Sequence, residues 1–342
     1  MNHTAIDLGS VESYVCTRQP DSSIIDQRRV KTARLKRFLS ALPAGRVIIE
    51  TSAESFHVAD LAIEAGHEIR VVPSTLVRAL GVGSRRLKTD ERDARILSEV
   101  SCRIDLPSVH IPSKPSRQLK SSVGGRSRLV AARTMLINQV RGWGRTEGLS
   151  LGGRNSSVFA ERIREKLEGP DGVPVHIDRT LEVIGCLSEQ IALADRELRE
   201  LVKGDELFER LMSVPGIGPV TAVRFVATID DVTRFESAAV LRSYLGLVPG
   251  ENSSGKRVRR TGITKAGAPA MRHTLVQAAW AARRSRKHRN DPMIGWADRI
   301  EKRRGKRIAT VALARKMAGI LYAIWRDGKS YNAGLGADKN VD

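Results

Sequence analysis

The run Arg46-Val47-Ile48-Ile49-Glu50 constrains the fold more than any other stretch of this chain. It is β-branched and follows the breaker loop Pro43-Ala44-Gly45, so it reads as a buried strand. It ends on a carboxylate, Glu50, which packing alone does not explain. Around it, short strand-like and helix-like signals alternate. Thr4 to Leu8 and Val11 to Thr17 read as strands about a Gly9-Ser10 turn, and Ile24 to Val30 as a third. Lys31 to Ala41 and Ala53 to Ala65 read as helices, the second stopped by Gly66. His67 to Val72 is a further strand, closed by Pro73. A short helix is expected from Leu76 to Val82, and Thr89 is placed to cap another running to about Cys102. Strands first, then strand–helix alternation, predict an α/β domain with a mixed sheet.

The remainder reads as all-α. Pro107, Pro112 and Pro115 mark a linker. Ser116 to Thr146 is basic and helix-compatible. Val175 to Val202 carries Leu181, Ile184, Leu187, Ile191, Ala194, Leu198 and Leu201 at helical spacings of three and four. These two segments form an antiparallel hairpin, mediate dimerisation or pack simply within one subunit, and spacing alone does not choose. From Leu207 onward the chain is mostly helical. The expected division is residues 1–112, 113–204 and 205–330, with a disordered tail at 331–342.

Charge names the class of partner. The chain of 342 residues carries a net charge of +20, and residues 251–330 hold 21 Lys/Arg against 5 Asp/Glu. Such a segment is suited to a polyanion. Aromatic residues are only 4% of the chain, so phosphate contacts should outweigh base stacking and make binding salt-dependent. Nucleoid-like packaging is the bland alternative. Cys16, Cys102 and Cys186 are too scattered for a zinc site or disulfide framework, which fits a reducing cytosol. No signal peptide is evident at Met1 to Asp7. Arg315 and Lys316 interrupt the apolar segment from Ile308 to Trp325, which argues against a membrane partner. The sequence contains no Walker A, His-Glu-x-x-His or dinucleotide motif.

Against this basic background four acids stand out. Asp7 lies on the first strand and Glu50 at the end of another. Asp90 and Asp93 lie in Lys-Thr-Asp-Glu-Arg-Asp-Ala-Arg, at the i, i+3 spacing that shares a helix face. Glu91 falls off that face. Carboxylate oxygens are hard donors suited to Mg²⁺ (or Mn²⁺), and a phosphodiester approaches such a cluster only with metal between. Acids in a first helical turn also simply complement the helix dipole, which keeps a structural reading open for Asp90 and Asp93.

Two later motifs bear on nucleic acid. Ser213-Val214-Pro215-Gly216-Ile217-Gly218-Pro219 resembles a helix-hairpin-helix turn, in which Gly216 and Gly218 let backbone N–H groups approach a phosphate. A tight turn between helices explains the glycines equally well. Gly250-Glu251-Asn252-Ser253-Ser254-Gly255-Lys256-Arg257 sets a serine hydroxyl in a Gly-flanked loop before Arg259, Arg260 and Lys265. Such a loop suits a nucleophile beside phosphate-binding cations, and a polar surface loop is the alternative.

Taken in order, Ile-Asp, Ile-Ile-Glu, Lys-Thr-Asp-x-x-Asp-Ala-Arg, Val-Pro-Gly-Ile-Gly-Pro, Gly-Leu-Val-Pro-x-x-x-Ser-Ser-Gly and Ile-Thr-Lys-Ala-Gly resemble the DEDD transposases of the IS110 insertion-sequence family, relatives of the Piv DNA invertases. The resemblance runs from residue 4 to about residue 328. It implies an RNase H-like (RuvC-like) N-terminal domain, a helical coiled-coil middle and a helical C-terminal transposase domain. It implies that Asp7, Glu50, Asp90 and Asp93 bind the metal, and that Ser254, with Ser253 as the neighbouring alternative, becomes linked to DNA. Donor and target DNA, a noncoding bridge RNA, and a homodimer assembling to a tetramer on DNA are the implied partners. The implied setting is the bacterial cytoplasm, at the nucleoid when acting.

Overall fold

A computed structural model describes residues 1–79, 90–153, 155–169, 172–251 and 260–333. The chain divides into two compact units, Met1–Pro112 and Ser113–Asp342.

The first unit contains β1 (His3–Asp7), β2 (Glu12–Arg18), β3 (Ile24–Lys31), α1 (Leu35–Ala41), β4 (Arg46–Glu50), α2 (Ser55–Glu64), β5 (Glu68–Val72), α3 (Ser74–Ala79) and α4 (Asp90–Arg103). Among the described residues the strands form one mixed sheet in the order β3-β2-β1-β4-β5. β1, β2 and β3 are joined antiparallel, whereas β1, β4 and β5 run parallel.

Strand parity explains the apolar run of β4. Val47 and Ile49 face a core built with Ile6, Val15, Leu35, Leu39, Val58, Ala59 and Ala62. Ile48 faces the other way, into a core with Ala5, Val72, Val77, Leu97 and Leu106. A strand covered on both faces needs a continuous apolar sequence, not an alternating one. The expected helix from Lys31 opens instead as a 3₁₀ turn at Thr32–Arg34, before α1. The helix expected from Leu76 to Val82 starts at Ser74, and beyond Ala79 the expectation lies outside the described residues. The Thr89 cap lies outside the described residues.

The second unit starts at Ser113, and its first helix starts at Lys114, ahead of the expected Ser116. Ser113 caps α5 (Lys114–Thr146) by accepting from the Ser116 amide at 3.3 Å. Pro115 falls in the first turn, where a missing N–H costs nothing. α6 (Phe159–Lys166) follows, buried through Phe159, Ala160 and Ile163, and was not expected from the sequence. α7 (Val175–Val202) runs antiparallel to α5 within the same chain. Arg126 pairs with Asp195, Arg133 with Ser188, and Trp143 meets His176 edge-on.

α8 (Glu206–Met212), α9 (Pro219–Ile229), α10 (Ala238–Tyr244), α11 (Pro269–Arg284), α12 (Pro292–Arg304) and α13 (Lys306–Asp327) complete the helical part, with β6 (Pro249–Glu251) and β7 (Arg260–Ile263) between α10 and α11. Val123 of α5 and Leu198 and Val202 of α7 share one core with Phe208, Leu211, Phe225, Leu275 and Leu313. The stretch 113–204 is therefore packed into the C-terminal helices.

α13 is long and apolar enough to cross a membrane by length and composition. Its Leu313, Ala314, Met317, Ala318, Leu321 and Tyr322 are instead buried in that core. The Tyr322 hydroxyl donates to the Phe235 carbonyl at 2.7 Å, so the one polar atom of this ring is satisfied. Tyr331, expected in a disordered tail, is anchored. Its amide donates to Ser213 Oγ at 2.9 Å and its hydroxyl to Asp291 at the same distance. Residues 334–342 lie outside the described residues.

Candidate active site

Sheet parity and one helix register assemble the acids. Asp7 follows Ala5 by two residues, and Glu50 follows Ile48 by two. Each therefore lies on the sheet face that carries α4. Ile6 pairs with Ile49 in parallel register, so Asp7 and Glu50 are the next pair along. They end neighbouring strands about 4.8 Å apart.

α4 crosses this face antiparallel to β1, fixed by three ties. At its far end Ser101 Oγ lies 2.8 Å from His3 Nδ1 at the start of β1. In the middle Ser98 Oγ donates to Cys16 Sγ at 3.3 Å and accepts from Arg18 Nε at 3.0 Å. At its near end Glu91 accepts from Gln27 at 2.7 Å, and Gln27 also donates to Tyr14, the strand partner of Asp7. From Ser101 back to Asp93 is about 12 Å of helix, and from His3 to Asp7 about 13 Å of strand. The two spans match, so Asp93 comes level with Asp7. Small residues make this close crossing possible: Ala94, Ser98 and Ser101 are all buried against the sheet.

Asp93 itself is buried, with 3% of its surface exposed, whereas Asp7 and Glu50 are half-buried. Asp90 is the first residue of α4, three positions before Asp93, and its side chain lies outside the described residues. Glu91 is turned to the β3 edge, toward Gln27 and Arg95. Among the described residues no three His, Cys, Asp or Glu side chains are gathered closely enough to hold a metal ion. Asp7, Glu50 and Asp93 share one end and one face without forming a closed cage. As a donor set of carboxylate oxygens they suit a hard divalent cation.

At the opposite end of α4, burial and the nearby Arg46 hold the His3 imidazole below its ordinary value. Arg46 is itself engaged with Glu68 and Asp105. The shift favours the neutral imidazole, which can complete the Ser101 tie.

The second group of sequence-predicted residues lies in the other unit. Gly216 has φ +84° and presses on α11, where a Cβ would run into the Ala278 carbonyl. Its lack of a side chain serves helix packing. Gly218 is the N-cap of α9 and faces open space, so of the two only Gly218 leaves room for a phosphate. Ser253, Ser254, Lys256, Arg257 and Arg259 lie outside the described residues, as does the Arg260 side chain. Their flanks are placed: Glu251 of β6 pairs with Arg260 of β7. Lys265 is exposed, with φ +58° and its amide donating to the Gly246 carbonyl at 3.2 Å. A left-handed lysine is strained by about 1 kcal/mol, and such strain is commonly kept where a side chain must point in one direction.

Sequence reasoning missed His3, Ser98 and Ser101, which set the register of α4. A period-four repeat of small or polar residues on the inner face (Ala94, Ser98, and Ser101 beside them) was the available signal.

Comparison with known proteins extends over both units. A DEDD transposase model of IS110 type matches residues 4–143, and a model described as transposase IS116/IS110/IS902 family matches residues 208–292. A probable family 20 transposase of Pseudomonas aeruginosa is 29% identical over 91% of this chain and 93% of its own length. The transposase for insertion sequence element IS1111A of Coxiella burnetii is 28% identical, over 96% and 91%. The putative transposase y4qE of Sinorhizobium fredii is 30% identical, over 77% and 71%.

Proposed function

Because the chain belongs to the IS116/IS110/IS902 family of insertion-sequence transposases, enzymes that cut and transfer DNA strands, we propose that it moves its own element through a serine–DNA intermediate, guided by a bridge RNA. The observation that supports metal-assisted strand chemistry in this reading is the placement of Asp7, Glu50 and Asp93 on one face and at one end of a mixed sheet. In this reading the first unit is an RNase H-like (RuvC-like) domain, which the strand order β3-β2-β1-β4-β5 supports.

Asp7, Glu50, Asp90 and Asp93 would hold Mg²⁺ or Mn²⁺. A divalent cation bound there supplies charge neutralisation for the scissile phosphodiester. The protein's own groups carry the strand exchange. Ser254 Oγ attacks phosphorus and loses its proton, and the bond from phosphorus to one DNA strand end breaks. That end leaves as a hydroxyl, with the other end held on Ser254 as a phosphoester. The hydroxyl of the exchanged strand then attacks the same phosphorus, and Ser254 regains its proton. One phosphoester is broken for each one made, so no nucleotide hydrolysis is needed. Lys256, Arg257, Arg259, Arg260 and Lys265 neutralise neighbouring phosphates and carry no sequence information. Base pairing between the bridge RNA and donor and target DNA selects the sites. A homodimer pairs into a tetramer on DNA, so the acids of one subunit meet Ser254 of another.

The test is to purify the full chain with its co-bound RNA and incubate it with donor and target duplexes and Mg²⁺. A joined product that disappears after ribonuclease treatment is expected. Full joining after ribonuclease points to a Piv-like, protein-guided invertase. Cleavage by Ser254→Ala points to a RuvC-like junction nuclease that uses water.

A further inference from the structure

The second unit brings three helix ends together at one corner. Arg283, in the last turn of α11, donates to Asp298 Oδ1 of α12 at 3.0 Å and pairs with Glu301 of the same helix. It also donates to Thr310 Oγ1 of α13 at 3.0 Å and to the Lys306 carbonyl at 3.4 Å. Lys306 Nζ in turn lies over the ring of Trp280, 5.5 Å from its centroid. Trp280 is three residues before Arg283. The end of α11, the end of α12 and the start of α13 are therefore braced against one another.

The acids of these helices are engaged by that brace. α11 contains no acid, α12 contains only Asp298 and Glu301, and the single acid of α13 is Asp327 at its far end. Asp298 and Glu301 are the two that pair with Arg283. Around them Arg284, Lys302, Arg303, Arg304, Lys306 and Arg307 are all exposed.

Helix stability explains only part of this set. Lys302, Arg303 and Arg304 occupy the last turn of α12, where cations complement the helix dipole. Lys306 and Arg307 open α13 instead, after the N-cap Gly305 and in a first turn that holds no acid. The positive end of a helix disfavours cations. A polyanion lying across the corner offsets that cost, and guanidinium and ammonium groups are the side chains that hold phosphate oxygens. Trp280, the ring at this corner, lies beneath Lys306, so the surface is suited to phosphates rather than to stacked bases.

We propose that Arg284, Lys302, Arg303, Arg304, Lys306 and Arg307 form a docking surface for the phosphate backbone of duplex DNA. The choice of DNA rests on the chain's membership in a family that cuts and transfers DNA strands, and not on the serine chemistry or the RNA guide. The surface positions DNA without reading its sequence. Because Arg283 fixes the helix ends, the spacing of the cations is set, and A-form and B-form backbones do not fit it alike.

The experiment compares the full-length wild type with Arg303→Gln, Arg307→Gln and Arg307→Lys. Arg179→Gln, an exposed position of α7, is the control for net charge. Binding of a random-sequence duplex DNA and of an RNA hairpin is measured across a salt series, and each free protein is melted. Arg303→Gln and Arg307→Gln should each lower the DNA slope of log K against log salt by about one, which weakens binding roughly eightfold at 0.1 M salt. The RNA slopes should change less than half as much. Arg307→Lys and Arg179→Gln should keep the wild-type slopes. Arg307→Gln should melt at or above wild type, because a cation has left the positive end of α13.

Unchanged DNA slopes in both Gln variants overturn the surface. An equal fall in Arg179→Gln also overturns it, since net charge alone then accounts for the loss. A loss on the RNA arm as large as that on DNA overturns the assignment to DNA. A lower slope in Arg307→Gln that comes with a lower melting temperature marks a structural role and overturns it as well. Wild type that does not bind duplex DNA at all contradicts the reading of a DNA-acting chain, a result distinct from unchanged slopes. No strand transfer is read, so failure of the serine mechanism leaves this result standing.

Discussion

His3 Nδ1 and Ser101 Oγ lie 2.8 Å apart, joining the first residue of β1 to the last turn of α4 across a buried seam. The contact spans 98 positions of sequence and lies at the end of the helix away from the acids. Its consequence is register: with Ser101 held at His3, Asp93 falls level with Asp7. Replacing Ser101 by Ala leaves a buried imidazole nitrogen unpartnered and should cost about 1–3 kcal/mol. Urea unfolding of the full chain measures this, and strand-transfer activity should fall with it as the acids lose alignment.

The same pair predicts a pH response. His3 has its folded pKa lowered by burial and by Arg46. A histidine of this kind lends its stability fully above its unfolded value of about 6.5, and that stability is lost as pH falls below it toward the folded value. The melting temperature of wild type should therefore drop more steeply than that of His3→Gln between about pH 7 and pH 5. Parallel curves would show that His3 does not titrate into the fold.

The half-buried acids allow a cleaner separation of chemistry from folding. Asp7→Asn and Glu50→Gln keep side-chain shape at strand ends where no apolar core is disturbed. Each should lower strand transfer by at least about a hundredfold, or some 2.7 kcal/mol of barrier. Melting temperature and DNA retention should stay within error. A chelator should abolish activity of the wild type in the same way, with recovery on adding Mg²⁺ or Mn²⁺.

How much of this was legible in sequence depends on the range of the interaction. β4 was readable to its ends because a strand buried on both faces leaves a continuous apolar run. α7 was readable because a long stripe at spacings of three and four averages out local noise. α6 was not, since its inner face rests on Phe159, Ala160 and Ile163 alone, beside a Gly-rich stretch. The register of α4 was invisible because it depends on His3 and Ser101, which nothing local connects. Gly216 and Gly218 looked equivalent in sequence, and packing against α11 separates them.

That separation is itself testable. Gly216→Ala places a Cβ on a left-handed backbone against the Ala278 carbonyl and should cost about 2–3 kcal/mol. Gly218→Ala faces open space at the N-cap of α9 and should cost within about 1 kcal/mol. Equal losses in thermal melts of the two variants would contradict the assignment of Gly216 to packing.

Arg283 ties α11 to α12 and α13 through Asp298, Glu301 and Thr310. Its side chain is 8% exposed, whereas Asp298 and Glu301 are 55% and 36% exposed. Because the acids stay near water, Arg283→Met should cost about 1–3 kcal/mol, less than breaking a fully buried pair. Chemical denaturation reads this directly, and a neutral result would mean the methionine packs as well as the ion pair.

If the acids on the α4 face and Ser254 belong to one reaction, both are needed to link the protein to DNA. End-labelled donor DNA is incubated with the full chain, its co-bound RNA and Mg²⁺, then denatured and resolved by gel. A labelled protein–DNA adduct is expected in wild type and should be absent in Ser254→Ala and in Asp7→Asn. Cleaved DNA without any adduct in wild type, or an adduct that survives Ser254→Ala, contradicts it.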